Sequence, residues 1–333
     1  MKSEETDQLN GRNRDNALFH LVTASQLSRE VIEMLAERAD SLREQAAEDN
    51  GLRQINSLLS HKRAGLLFSQ PSTRTFFSFM NACYILGMSV SEARDPSITS
   101  SRKGESFEDT VRTMAAYTDI LIIRNREDDS AERAADTLDR FEKRIPVVNG
   151  GSGTREHPTQ ALLDVYTMLR EFSHRGGVDG KKIVMAGDLR RGRTVRSLCS
   201  LLAGFADVEI YFAAVPRYQM KDDIRSFLSE HGVAFSNVDN FRDILCEADA
   251  VYMTRVQDEH DTAGESKHID FSAFHMKTEY LDIMKKDAII MHPLPRREEI
   301  PTEIDADPRA AYWRQEENGL WIRTALIASI MNV

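Results

Sequence analysis

The chain has 333 residues, a formal net charge of −10 and 41% hydrophobic residues, values typical of a globular protein with two ordinary domains. The acidic balance argues against a nucleic-acid partner, because phosphate backbones require a basic surface. No apolar run reaches the roughly 18 residues of a membrane span, so we expect no membrane contact.

The cysteines, the histidines and the start of the chain predict a cytoplasmic protein without a metal site. Cys83, Cys199 and Cys246 lie far apart, and we expect them to be buried, reduced thiols. The nine histidines form no HExxH or related metal-binding spacing. The polar stretch from Met1 to Asp15 lacks the apolar core of a secretory signal, so we expect a frayed tail there.

Short apolar runs alternate with helical patterns along the chain. The runs predict buried strands at Ala64–Phe68, Asp119–Ile123, Ile145–Val148, Ile183–Ala186, Val208–Phe212, Ala250–Met253 and Ala288–Met291. The helical patterns cover Ser28–Gln45, Thr73–Leu86, Glu105–Tyr117, Ala131–Phe141, Pro158–Phe172 and Leu320–Met331. This alternation predicts an α/β protein with two domains, each a parallel sheet flanked by helices.

The domain boundary is predicted at a Gly/Ser-rich stretch, Asn149–Glu156, which precedes a long interdomain helix. The apolar C-terminal helix must dock, and we expect it to return to the first domain. We therefore assign residues 1–155 plus 312–333 to the first domain and residues 156–311 to the second.

Hydroxyl and guanidinium groups follow the first predicted strand. Ser72, Thr73, Arg74 and Thr75 open a helix, where free N–H groups and the helix dipole favour an anion. Ser72 alone would indicate no more than an ordinary cap. The planar fork of Arg74 makes a phosphate site the better interpretation.

Two further residues stand where ligands bind in parallel sheets, at strand ends and between domains. Arg124 follows the second strand, and by itself it could be a surface charge. His157 precedes Pro158, Thr159 and Gln160 at the start of the interdomain helix. A histidine there is more often a capping or core residue, but its position between domains favours a functional role.

The segment Gly187–Thr194 supports a competing hypothesis, a nucleotide triphosphatase. It follows a strand and differs from the P-loop pattern only by Arg193 in place of lysine. Arginine does not replace that compact charge, and Asp188 puts a carboxylate among the backbone donors. We therefore interpret Arg193 as a clamp for a substrate carboxylate.

The last two strands are followed by further ligand-binding groups. Arg255 and Gln257 alternate after one strand, so both can face one side of an extended segment. Pro293 and Leu294 form a proline-rich turn after the other, and their carbonyls suit a ligand that donates hydrogen bonds. Together these groups predict one phosphorylated and one dianionic substrate.

At these residues the sequence resembles the aspartate/ornithine carbamoyltransferase family, and in particular its aspartate carbamoyltransferase catalytic subunits. The resemblance runs in order from about residue 20 to the end. Its motifs are Ser-Thr-Arg-Thr at 72–75, Lys-Gly-Glu at 103–105, His-Pro-Thr-Gln at 157–160, Gly-Asp-Leu with Gly-Arg-Thr at 187–194, Met-Thr-Arg-Val-Gln at 253–257 and His-Pro-Leu-Pro-Arg at 292–296. The ornithine branch is similar at the first motif but carries Cys in place of Thr159.

The resemblance implies transfer of the carbamoyl group of carbamoyl phosphate to L-aspartate, an early step of pyrimidine biosynthesis. The implied phosphate ligands are Ser72, Thr73, Arg74 and Thr75. The implied ligands of the carbonyl oxygen are Thr75, Arg124 and His157, and those of the carbamoyl nitrogen are Gln160 and the carbonyls of Pro293 and Leu294. The implied ligands of the aspartate carboxylates are Arg193, Arg255 and Gln257.

The resemblance also implies a homotrimer with shared active sites, in which Lys103 comes from a neighbouring subunit. It leaves a higher assembly with regulatory chains open. The chemistry is attack by an amine on an activated carbonyl, so no metal or organic cofactor is expected. The resemblance assigns the catalytic roles to Arg74, Thr75, Lys103, Arg124 and His157.

Six positions depart from the family pattern: Gln70 for a usual Glu, Thr99 for a common Ser, Ser152 for a usual Asp, Arg155 for an uncharged residue, His260 for an Arg of some members and Arg297 as an additional cation. They leave open a carbamoyltransferase with another amino-acid acceptor. A catalytically silent subunit is a further alternative, which the retained arginines argue against.

Overall fold

The computed structural model describes residues 18–94, 104–141, 143–153, 155–257 and 269–333. These residues divide into two compact units. Unit 1 holds the described residues up to Leu163 and those from Asn318 to Val333, and unit 2 holds those from Asp164 to Glu317. The predicted boundaries at 155/156 and 311/312 lie close to the starts of the two helices in which the chain passes from one unit to the other.

Unit 1 contains a four-stranded, wholly parallel sheet with the strand order β2-β1-β3-β4. Its elements are α1 (Arg29–Ala47), α2 (Gly51–Ser57), β1 (Arg63–Phe68), α3 (Thr73–Ile85), β2 (Ser89–Ala93), α4 (Phe107–Tyr117), β3 (Ile120–Asn125), α5 (Ser130–Asp139) and β4 (Val147–Ser152), followed by α6 (Pro158–Glu171), which continues into unit 2.

The core of unit 1 forms because β1 and β3 are apolar along almost their whole length. Leu67, Leu121 and Ile123 pack with Val111 of α4 and Leu138 of α5, so that helices cover the sheet. β1 and β3 end at the same level of the sheet. Phe68, the last residue of β1, pairs with Arg124 near the end of β3, and the amide of Ser69 donates to the carbonyl of Arg124. Side chains that follow these two strands therefore lie together at the carboxyl end of the sheet.

Unit 2 contains a five-stranded parallel sheet with the order β7-β6-β5-β8-β9. Its elements are β5 (Lys182–Ala186), α7 (Arg193–Leu202), β6 (Glu209–Ala213), α8 (Asp222–Glu230), β7 (Ala234–Asn237), α9 (Phe241–Ile244), β8 (Ala250–Met253) and β9 (Ile289–Met291), followed by α10 (Tyr312–Ile330), which ends in unit 1. The chain order reverses between β5 and β8, where ligands commonly bind in such sheets.

The predicted class, two parallel sheets flanked by helices, is confirmed, but two strands were missed. β2 and β7 are edge strands whose side chains are mostly exposed, so they carry polar residues instead of an apolar run. The periodicity that identifies buried strands is therefore absent from both. Each pairs with a predicted strand on one side only.

The predicted linker is partly wrong. Its first four residues, Asn149–Ser152, form the end of β4 and are buried. A Gly/Ser-rich run can enter a strand here because the backbone packs closely against β3. The C-terminal helix also begins earlier than predicted, at Tyr312, because its first turns are largely polar.

The last part of α10 packs on unit 1, as the sequence predicts. Asn318 accepts a hydrogen bond from Arg43 at 3.0 Å, and Arg323 donates one to Ser78 at 2.8 Å. Leu326 and Ile327 are fully buried. Among the described helices, none combines the length and the apolar character needed to cross a bilayer.

Candidate functional site

The predicted phosphate ligands lie at the start of α3, a helix of 13 residues. Ser72 precedes the helix, and its side chain makes no capping hydrogen bond to the described backbone. Ser72 thus occupies the N-cap position without the side-chain hydrogen bond of an ordinary cap. Thr73 is exposed, Arg74 is half-buried and Thr75 is buried, so the first turn presents polar groups from solvent inward.

Arg124 and the loop after β1 are joined through the backbone. The carbonyl of Arg124 accepts hydrogen bonds from the amide and the hydroxyl of Ser69, at 2.9 and 3.3 Å. The Arg124 guanidinium is buried and donates to the carbonyl of Gly150 at 3.0 Å. Arg124 is therefore not a surface charge, the alternative that the sequence left open. A buried arginine held in this way is a preformed hydrogen-bond donor.

Arg124 and His157 lie next to Gly151, and Thr75 joins them through His157. Thr75 Oγ1 and His157 Nε2 lie 3.4 Å apart, and both residues are buried. A Cβ at Gly151 would lie 2.5 Å from Arg124 Nη1 and 3.5 Å from His157 Cδ2. The glycine, with φ of +120°, therefore leaves the space in which the guanidinium sits.

Asn149, which the sequence did not identify as a functional residue, shapes this turn. Its Oδ1 accepts from the amide of Gly151 at 2.7 Å and from the hydroxyl of Ser152 at 3.1 Å. Its Nδ2 donates to the carbonyl of Val22 at 2.7 Å. The sequence Asn-Gly-Gly could have identified this turn, because Asn and Gly are typical of turns with positive φ. From the sequence it was assigned to a linker.

The residues around His157 are also fixed. Glu156 accepts a hydrogen bond from the amide of Ala24 at 2.7 Å, and its carbonyl accepts one from the amide of Ser152 at 3.2 Å. The carbonyl of His157 accepts from the amide of Gln160 at 3.0 Å, and Gln160 is buried in the first turn of α6. The predicted groups of unit 1 that the structure describes thus follow the carboxyl ends of its strands.

In unit 2, Asp188 ties together the two loops that carry the predicted carboxylate ligands. It is fully buried and accepts hydrogen bonds from the amides of Arg191 and Gln257, at 3.1 and 3.2 Å, and from Arg191 Nε at 3.0 Å. Burial raises the pKa of Asp188, and its hydrogen bonds offset that effect only in part.

The position of Asp188 argues against the nucleotide triphosphatase. A P-loop leaves its backbone N–H groups for phosphate, but here a carboxylate of the chain already occupies the amide of Arg191. Gly187 also approaches the next loop closely, because a Cβ there would lie 2.0 Å from the carbonyl of Thr254. The loop is shaped for contact with residues 254–257.

Arg193 and Gln257 adjoin the same glycine. Arg193 is the first residue of α7, directly after Gly192, and a Cβ at Gly192 would lie 3.8 Å from Gln257 Nε2. Arg255 is half-buried two residues earlier and donates to the carbonyl of Val256 at 3.0 Å. These positions suit a group that accepts several hydrogen bonds, such as a carboxylate.

His292 holds the turn that contains Pro293 and Leu294. His292 Nδ1 accepts from the amide of Leu294 at 2.7 Å, so the proton lies on Nε2, which donates to Glu299 at 2.8 Å. Glu299 also accepts from the amide of Arg297 at 2.9 Å. Burial raises the pKa of Glu299, but these hydrogen bonds outweigh it, so the pKa lies below its usual value.

A buried polar network supports this turn. Tyr252 and Gln315 both donate to the carboxylate of Asp164, at 2.7 and 2.6 Å. Gln315 in turn accepts from the amide of His292 at 3.0 Å. The network joins β8, which leads to Arg255, with the His292 turn.

Several predictions concern other positions. Thr99, Lys103 and His260 lie outside the described residues. Cys83 and Cys199 are buried, and burial raises the pKa of Cys83 to about 12, but Cys246 is exposed, so its predicted burial is wrong. Within the described ranges, no group of three or more His, Cys, Asp or Glu residues could hold a metal ion.

Comparisons with known proteins match both units. Residues 20–170 match the family domain described as aspartate/ornithine carbamoyltransferase, carbamoyl-P binding domain, and residues 179–330 match the Asp/Orn binding domain of the same family. A relative from Arabidopsis thaliana, a chloroplastic aspartate carbamoyltransferase, is 43% identical over 305 residues, which are 90% of this chain and 75% of the relative.

Solved structures give the same result. An aspartate transcarbamoylase from Trypanosoma cruzi in complex with N-(phosphonacetyl)-L-aspartic acid has a TM-score of 0.83 and 33% identity, covering 96% of this chain and 97% of that chain. The same enzyme in complex with carbamoyl phosphate and aspartate has a TM-score of 0.81 and 33% identity, covering 93% and 94%. Both domain matches, the sequence identity and these structures show that the chain belongs to the aspartate/ornithine carbamoyltransferase family.

Proposed function

We propose that the chain is an aspartate carbamoyltransferase, which converts carbamoyl phosphate and L-aspartate to N-carbamoyl-L-aspartate and phosphate. The observation that carries the proposal is a cluster of three buried side chains, in which Arg124 and His157 adjoin Gly151 and Thr75 contacts His157. Relatives that are named for this activity, and a neighbour solved with both substrates, support it. The reaction would supply an early step of pyrimidine biosynthesis.

Carbamoyl phosphate would bind through the first turn of α3. The phosphate accepts hydrogen bonds from the hydroxyls of Ser72, Thr73 and Thr75 and from the helix N–H groups, and Arg74 neutralises its charge. Lys103 is proposed to add a second cation. Removal of electron density from the phosphate makes it a better leaving group.

The cluster of Thr75, Arg124 and His157 would act on the carbonyl oxygen. As the amine nitrogen attacks the carbonyl carbon, that oxygen gains negative charge, and Arg124, held by its hydrogen bond to the carbonyl of Gly150, would donate to it. Thr75 and His157 supply two further polar atoms at 3.4 Å from each other. When the bond from carbon to the phosphate oxygen breaks, the leaving phosphate takes the proton that the amine loses.

L-Aspartate would bind through unit 2. Arg193, Arg255 and Gln257 hold the two carboxylates, and Asp188 keeps their loops in place. Gln160 and the carbonyls of Pro293 and Leu294 would bind the carbamoyl nitrogen. The enzyme then needs no nucleophile of its own, because it holds two reactants in line.

We also propose a cytoplasmic homotrimer in which Lys103 contributes to the active site of the neighbouring subunit. This trimer is compatible with a higher assembly that includes regulatory chains. Exposed apolar side chains of unit 1, among them Leu52, Phe77 and Tyr84, support contact between chains. The mass of the assembly in solution tests the trimer.

The direct test is an assay with carbamoyl phosphate and a panel of amino acids, which follows phosphate and carbamoyl-amino-acid formation together. L-Aspartate should give both products at equal rates. Faster turnover of another acceptor would favour the alternative carbamoyltransferase. Phosphate release without any carbamoyl product would overturn the proposal.

A further inference from the structure

A cavity of about 730 Å³ lies in unit 2 at the carboxyl ends of β6 and β7. It is separate from the loops after β5 and β8 that carry the proposed carboxylate ligands, although one wall residue, Arg190, belongs to the loop after β5. The carboxyl ends of parallel strands are where such sheets bind ligands. The proposed reaction uses none of the side chains that line this cavity.

The charged side chains of the cavity are mainly basic. Four cations line it against two carboxylates: Arg190, Arg217, Lys221 and Arg225 against Asp222 and Asp239. One carboxylate is partly compensated, since Asp222 Oδ1 lies 4.0 Å from Arg225 Nη1. In a chain with a net charge of −10, this local excess of positive charge favours an anion.

The rest of the wall is apolar or carries amides. Ala214, Pro216, Met220, Val238 and Phe274 supply the apolar surface. Such volumes, about 300–1,000 Å³, hold organic molecules, and an inorganic anion would leave most of this one empty.

Two hydrogen bonds hold parts of the cavity wall in place. Gln219 Nε2 donates to the carbonyl of Ala214 at 2.9 Å, which fixes the end of β6. Arg225 Nη2 donates to Asn237 Oδ1 at 2.9 Å, which holds α8 against the end of β7. Hydrogen bonds within the chain thus shape two sides of the cavity.

Two sets of contacts connect the cavity with the proposed aspartate site. The carbonyl of Tyr218 accepts from the amides of Leu189 and Arg190, both at 3.0 Å, and these residues follow Asp188 directly. Arg196 of α7, the helix that begins at Arg193, forms a two-pronged ion pair with Asp223 of α8. A ligand that moves Arg190 or α8 therefore acts on the loop and the helix that hold the acceptor.

We propose that this cavity binds a phosphomonoester with an apolar or planar organic group, and that its occupancy changes the affinity for aspartate. The arginine forks match phosphate oxygens, and the apolar wall takes the organic part. The binding site stands on the cavity alone, whereas its effect on aspartate rests on the proposed function. The coupling is reciprocal, so aspartate changes the affinity for the phosphomonoester by the same factor.

The test measures binding by calorimetry in the presence of saturating N-(phosphonacetyl)-L-aspartate, which would occupy the proposed active site. The probes are inorganic phosphate, phenyl phosphate and a nucleoside monophosphate. Lys221→Glu reverses a charge of the cavity, and Lys286→Glu makes the same change at an exposed position of unit 2 outside it. We expect Lys221→Glu to weaken binding of the organic phosphates at least about tenfold and Lys286→Glu to leave it within about twofold.

Three outcomes would overturn the site: no binding of the organic phosphates, equal loss in both variants, or equal affinity for inorganic phosphate. Coupling is measured as the KM for aspartate at saturating carbamoyl phosphate, which phenyl phosphate or the nucleotide should change in the wild type but not in Lys221→Glu. An unchanged KM would remove the coupling. If the protein shows no carbamoyl transfer at all, the proposed function fails, while binding to the wild type and the two variants still decides the site.

Discussion

The carbonyl of Arg124 accepts hydrogen bonds from both the amide and the hydroxyl of Ser69, at 2.9 and 3.3 Å. This pair fixes the start of the loop that leads to Thr73–Thr75 relative to the arginine of the neighbouring strand. The proposed phosphate ligands and the proposed oxyanion donor are therefore positioned by one strand pairing. A change in either strand should affect both functions.

The first prediction concerns Arg124 as a donor to developing charge. Arg124→Ala should lower kcat by roughly a hundredfold or more, because it removes a preformed donor in the transition state. Arg126→Ala is the matched control, since Arg126 is exposed two residues later and its loss should leave kcat within about twofold. A variant that changes KM alone would make Arg124 a binding residue and contradict the proposed role.

The second prediction distinguishes two effects of replacing a glycine: backbone strain at positive φ and displacement of the Arg124 side chain. Gly151→Ala and Gly176→Ala both introduce a side chain at positive φ, and each should cost about 1–3 kcal/mol of stability. Only at Gly151 does the new Cβ meet Arg124, at 2.5 Å, whereas nothing lies within 4 Å of a Cβ at Gly176. We expect kcat to fall at least about tenfold in Gly151→Ala alone. Similar kinetics in the two variants would show that the position of Arg124 does not depend on this glycine.

Some of this site was predictable, and some was not. Residues 72–75, Arg124 and His157 could be proposed as site residues because each follows a predicted strand or opens a predicted helix, features that are local in sequence. Asn149 and Gly151 resemble linker residues in the sequence, because their role depends on contacts with Val22 and Arg124, which are distant in the chain. Tertiary contact of this kind leaves no periodic signal.

The same distinction explains the fold. β1 and β3 are buried on both faces and therefore read as apolar runs, while the edge strands β2 and β7 are exposed and read as polar. The order of the strands depends on which strands lie next to each other in the sheet. A short apolar run shows that a strand is buried but does not specify its neighbours.

The third prediction concerns Glu299 and its dependence on pH. Its pKa is lowered in the folded protein, so the ionised form adds stability above the unfolded pKa of about 4.3, and this contribution is lost as the pH falls through the lower folded pKa. Glu299→Gln should therefore lose about 1–3 kcal/mol at pH 7, and the loss should shrink in acid. Urea unfolding of the wild type and the variant at pH 7 and in acid measures this difference in the free energy of unfolding.

The control for Glu299 is its exposed neighbour. Glu298→Gln removes the same charge one residue earlier and should change stability by less than about 0.5 kcal/mol at either pH. If the loss in Glu299→Gln were independent of pH, the ionised carboxylate would not be the stabilising form.

The fourth prediction concerns the acceptor. Arg255→Ala should weaken aspartate binding while carbamoyl phosphate affinity stays within about threefold, because unit 2 carries the proposed carboxylate ligands and unit 1 the phosphate ligands. Arg242→Ala, at an exposed position of the same unit, is the control. Equal losses of affinity for both substrates in Arg255→Ala would contradict this division.

The last prediction tests the shared site, and it is decided by counting. If each site of a cyclic trimer combines one chain's Arg255 with the next chain's Lys103, then Lys103→Ala and Arg255→Ala homotrimers are both nearly inactive. When the two variants are dissociated, mixed equally and reassembled, about three quarters of the trimers are mixed, and each has one native site in three, so about a quarter of wild-type activity returns. A site within one chain predicts no recovery, because every chain carries one lesion. Native mass spectrometry confirms that hybrids have formed, and hybrids without activity would remove Lys103 from the neighbour's site.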